Sequence, residues 1–83
     1  MPLAAIQVRW PDSGISAVVI MPGWGRVPWQ YGILSSSGIV TTFRDRERLR
    51  YVLDNEVNLP TRMTRGLIEK LDGKVRELGL PIS

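Results

Sequence analysis

With 83 residues, 43% of them hydrophobic and 23% charged, the chain has the balance of an ordinary globular domain and is too short to divide into two, because each half would lack a sufficient core. It contains neither His nor Cys, which removes disulfides, thiolate and imidazole catalysis, and sulfur- or imidazole-ligated metal sites together. A net charge of +3 is a mild excess and a weaker argument for nucleic acid than a basic stripe would be.

The segment from Met1 to Ala5 lacks the basic region and long apolar stretch of a signal peptide, and Arg9 follows closely. The longest largely apolar run, 15–21, is about a third of the roughly 20 residues that a helix needs to cross a bilayer. A cytoplasmic chain with no membrane span and no membrane partner is therefore expected.

From Leu3 to Trp10 the sequence alternates Ala4, Ile6, Val8 and Trp10 with Gln7 and Arg9, the period-2 pattern of a half-buried strand. Pro11-Asp12-Ser13-Gly14 supplies turn chemistry. The returning strand, Ile15 to Met21, is β-branched at its centre and apolar on both faces, which marks it as a central strand covered on both sides. Pro22 to Pro28 holds prolines at both ends and two glycines between them, so it is an irregular loop. A second hairpin follows, with Trp29, Tyr31 and Ile33 on one face of its first strand, Ser35-Ser36-Ser37 at the turn, and Gly38 to Phe43 returning.

Thr42-Phe43-Arg44-Asp45 has the form of a capping box, and Leu49, Val52 and Leu53 share a helical face, so helix one is predicted from about Arg44 to about Asp54. Asn55 to Leu59 links it to a second helix in which Pro60 sits in the first turn. Met63, Leu67, Ile68, Leu71, Val75 and Leu78 form its apolar stripe, and Gly79 and Pro81 stop it. Arg65 with Glu69 and Asp72 with Arg76 are spaced as ion pairs on its outer face. Gly66 and Gly73 lie seven apart on one side, which implies a kink or a flat lane for another backbone, from the same chain or from a second subunit.

The fold class is α+β: one domain over 1–83, with a β-rich half over 3–43 and a two-helix half over 44–79. A four-stranded, mainly antiparallel sheet of two hairpins carries the C-terminal helices on one face, with a curled small barrel as the alternative. Trp10, Val18, Ile20, Trp29, Ile33, Leu53, Leu67, Leu71 and Val75 are the expected core.

Catalysis has no candidate constellation. Asp12 is the one acid before residue 45 and belongs to a turn, where its side chain bonds the backbone. The other acids alternate with basic residues, as solvated ion-paired faces do, and Ser35 to Ser37 show no nucleophile elbow. Gly23-Trp24-Gly25 falls short of a phosphate loop, because the third glycine is missing and a strand follows in place of a helix. No enzyme activity, metal or cofactor is expected.

Two features suit recognition. Trp24, set between glycines and followed by Arg26, either presents an aromatic anchor with a cation beside it or folds back to cap one end of the sheet. Arg44, Arg46, Arg48 and Arg50 recur every second residue. At 100° per residue Arg44 and Arg48 point away from the Leu49 stripe with Tyr51 nearby, whereas Arg46 and Arg50 flank it. Such an array grips phosphates or an acidic partner, or it forms a solvated face neutralised by Asp45, Glu47 and Asp54.

The expected partner-binding residues are Trp24, Arg26, Arg44, Arg48 and Tyr51. The function they suit is that of a small non-catalytic protein-interaction or regulatory module, with nucleic-acid binding through the first helix as the alternative. Homo-oligomerisation is a natural addition for so small a core, whose stability is expected to be on the order of 4–12 kcal/mol.

Overall fold

The computed structural model of the chain describes residues 2–81, apart from the side chain of Val40. Four strands, β1 (Ala4–Gln7), β2 (Ala17–Pro22), β3 (Trp29–Ser35) and β4 (Gly38–Phe43), precede α1 (Arg46–Tyr51), a π-helical turn (Val52–Glu56) and α2 (Thr61–Glu77). Each strand pairs antiparallel with the next, in the order β1-β2-β3-β4. The sheet is an open meander with β1 and β4 as its edges, and it does not close into a barrel. The α+β arrangement read from the sequence is the one the chain adopts.

The alternation of β3 puts Trp29, Tyr31 and Ile33 on the helix side, where they join Val18, Ile20 and Phe43 from the sheet and Leu49, Leu53, Leu67, Leu71 and Val75 from the helical half. On β2 the other face is buried as well, at Ala17 and Val19. No helix covers it. Gly32 pairs with Val19, and a Cβ there would meet Met21 Sδ at 2.9 Å and Val19 Cγ2 at 3.1 Å. Side chains of β2 thus close over a gap left by a glycine on β3.

Trp10 departs from the expected core, being 37% exposed. β1 ends at Gln7, and Pro11, which has no N–H to give a ladder, opens a 3₁₀ turn over Pro11–Ser13. Trp10 caps that turn, its carbonyl accepting from Ser13 N at 3.1 Å and Ser13 Oγ at 2.7 Å. Its side chain therefore leaves the alternation that Ala4, Ile6 and Val8 keep.

The first helix starts later than its spacing implied. Thr42 lies within β4 and is not the cap. Asp45 is, with Oδ1 accepting from Glu47 N at 3.0 Å. Beyond Tyr51 the helix widens, and Val57 N reaches back five residues to Val52 O at 2.9 Å, so Asn55 and Glu56 belong to the π turn and not to the linker. Asn58, at φ 61°, reverses the chain, and Leu59 is buried.

α2 buries Leu67, Ile68, Leu71 and Val75 as the stripe predicts, together with Thr64, but leaves Leu78 44% exposed. Gly79 takes φ 68° and donates to Arg76 O, while Leu80 N donates to Val75 O, both at 3.1 Å. These are the two bonds of a Schellman closure, which favours glycine at the left-handed position. Neither expected outer-face pair forms among the described residues. Asp72 meets Arg46 at 2.5 Å, and Lys74 meets Glu77 at 3.2 Å. Gly66 and Gly73 would carry Cβ atoms with nothing within 4 Å, so no strand among the described residues lies against them.

Candidate recognition site

The loop between the hairpins is held by its own backbone. A Cβ on Gly23 would collide with the Val27 carbonyl, and Gly25 takes φ 61°, so both glycines are demanded by close approach and handedness. Gly23 N donates to Pro28 O at 3.2 Å and Val27 N to Trp24 O at 3.0 Å. Beneath them the buried Gln30 amide donates to Pro22 O at 3.2 Å. Trp24 rides on this frame 75% exposed. It does not fold back to cap the sheet.

Beside the loop, Trp24, Arg44 and Arg48 line one groove of about 520 Å³ whose floor includes Thr42, Phe43 and the buried Gln30. Asp45 lines it as well, with one carboxylate oxygen engaged in capping α1. The Arg48 guanidinium sits 5.6 Å from the centroid of the Tyr51 ring, within cation–π range, and Tyr51 is 53% exposed. Four of the five residues named from sequence thus form a connected surface. Arg26 is exposed on the loop and does not line the groove. Arg46 leaves the arginine array to pair with Asp72.

A second cleft, of about 540 Å³, was not legible beforehand. Trp29 and Tyr31 line it with rings 5.0 Å apart and nearly perpendicular at 87°, and Trp29 Nε1 donates to Pro81 O at 2.6 Å. The Arg46–Asp72 pair, 26 residues apart in sequence, also lines it. Burial pushes the Tyr31 pKa up, Asp72 and Asp45 add to the rise, and Arg46 opposes it. Its hydrogen bond to Asp72 raises the Arg46 pKa further. Trp29 and Tyr31 could be read as core from their alternation, but nothing local announces an ion pair over them.

Among the described residues no group of three or more Asp and Glu side chains is placed to hold a metal ion, and no helix is long and apolar enough to cross a membrane. No family model matches the chain, and neither does any curated protein or solved structure.

Proposed function

We propose that this chain is a non-catalytic interaction module that captures an acidic protein partner in the groove of Trp24, Arg44 and Arg48. The observation that carries the reading is the exposure of Trp24, at 75%, on a loop whose conformation its own hydrogen bonds set. Presenting a large aromatic to water in a fixed geometry adds nothing to the core, yet it lowers the ordering cost of association. Tryptophan and arginine are also the residues that most often dominate binding energy. Arg44 and Arg48 outnumber Asp45 along the groove, so it favours carboxylates.

The test is quantitative capture on immobilised wild-type protein and on Trp24→Ala. The variant should keep the wild-type melting temperature, because the side chain packs little, and should bind the captured protein at least tenfold more weakly, the size of a hot-spot loss. Unchanged capture, or binding lost in proportion to stability, contradicts the proposal.

A second reading follows from the Arg48–Tyr51 stack. With Trp24 sharing a groove with Arg48, aromatics and cations are placed as they are on surfaces that stack the bases of single-stranded nucleic acid. An oligothymidylate titration at several salt concentrations separates the two. Phosphate contacts give a steep fall of log K with log salt, and a Trp-centred protein interface gives a shallow one.

A further inference from the structure

The opposite edge of the sheet has separate properties. Val8 N donates to Ser16 O at 2.9 Å, and the register places Ile6 against Val18 and Ala4 against Ile20. Hydrogen-bonded pairs alternate along an antiparallel ladder, so the even-numbered residues of β1 face β2. The N–H and C=O groups of Ala5 and Gln7 therefore point outward, and no strand among the described residues lies beyond them. From Leu3 to Val8 there is neither proline nor charge, the usual devices that blunt an edge.

Alongside this edge runs a groove of about 560 Å³, lined by Ile6, Val8 and Arg9 from the first strand region and by Met63, Gly66 and Lys70 from α2. A residue placed opposite Ile6 on an added strand would project its side chain over the helix side, where a Cβ on Gly66 would find nothing within 4 Å. Arg9 and Lys70 have no ion-pair partner among the described residues, and no acid lines the groove. Like charge disfavours a second copy as occupant. Its own edge carries no acid between Leu3 and Val8 and is followed by Arg9, so self-pairing would add cations to cations.

We propose that the β1–α2 groove takes an extended segment of another protein, adding it to the sheet as a strand next to β1, with acidic residues meeting Arg9 and Lys70 and an apolar side chain seated over Gly66. Backbone pairing at Ala5 and Gln7 supplies affinity, and the alternate side chains supply selectivity.

The probe is a displayed library of random ten-residue peptides, selected on the full chain. Selected sequences should place Asp or Glu two residues from an apolar residue, because Gly66 and Lys70 line the same side of the groove and alternate side chains of a strand share a face. Their synthetic forms should lose tenfold or more in affinity on Arg9→Glu/Lys70→Glu and on Gly66→Leu, while Trp24→Ala binds them as wild type does. Circular dichroism and melting confirm that each variant is folded. Methylating alternate amide nitrogens of the peptide should abolish binding in one phase and spare it in the other, since an added strand uses one of its two edges. Selection that enriches no binder, affinity indifferent to the phase of methylation, or affinity indifferent to the charge reversal overturns the proposal. So does a homodimer in sedimentation equilibrium that Ala5→Pro dissociates, because the occupant would then be a second copy.

Discussion

Truncating Leu71 to Ala measures how the helical half is held to the sheet. The side chain has no exposed surface, and Val18, Ile20 and Leu53 in the same cluster have none either, so its surroundings have little freedom to collapse into the space it leaves. Leucine truncations at such positions cost about 2–5 kcal/mol, the sum of lost transfer free energy and a residual cavity. Against a total on the order of 4–12 kcal/mol for a domain of this size, that is about a sixth of the stability or more. At about 4–8 °C per kcal/mol, the melting temperature should fall by at least roughly 8 °C. Urea melts should show the midpoint moving with an unchanged slope. Leu78→Ala is the control, since it belongs to the same sequence stripe but is 44% exposed, and it should cost about 1 kcal/mol or less. A Leu71→Ala loss below about 1 kcal/mol, or one equal to the Leu78→Ala loss, would refute the packing argument.

Tyr31 should ionise above the ordinary phenol range in a spectrophotometric titration of Tyr51→Phe, which leaves it as the one tyrosine. Because the folded chain then holds this proton more tightly than the unfolded chain, stability should fall as pH rises through the ordinary phenol range toward the folded pKa. Tyr31→Phe should flatten that limb, and a midpoint at or below the ordinary value would contradict burial as the cause. Gly73→Ala, in the body of α2 with nothing within 4 Å of the new Cβ, should raise stability by up to about 1 kcal/mol. Gly23→Ala, where the Cβ meets the Val27 carbonyl, should lower it by about 1–3 kcal/mol, and thermal melts of the pair decide both signs.

What the sequence disclosed follows from the range over which its signals act. Strand alternation and helical spacing are local, and they located both hairpins, α2 and every expected core residue but Trp10. Trp10 departs because β1 ends at Gln7, so the alternation in sequence outruns the strand that carries it. Thr42 is not a cap for a related reason: the capping pattern overlaps a strand whose pairing to Gly32 keeps it extended. Asp72 shows the other kind of miss. Its spacing to Arg76 allows a helical pair, but α1 crosses close enough for Arg46 to take the carboxylate, and only tertiary packing decides between two arginines of equal charge.

The same crossing separates the roles of the arginines that recur at every second position. Arg46, Arg48 and Arg50 lie on α1, where a period of two sends successive side chains about 200° apart, and Arg44 precedes the Asp45 cap, so the four cannot act as one grip. Arg46 turns toward α2 and bonds Asp72, while Arg44 and Arg48 turn toward the loop and share a groove with Trp24. Neutralising Arg46 therefore disturbs the contact between the helices, whereas neutralising Arg48 alters the exposed surface alone. The groove lies by β4, and the cations Arg9 and Lys70 lie by β1 at the far edge of the sheet. Charge reversal at one edge thus acts on carboxylate ligands there with little effect at the other, because solvent screens exposed charges separated by more than about one Debye length.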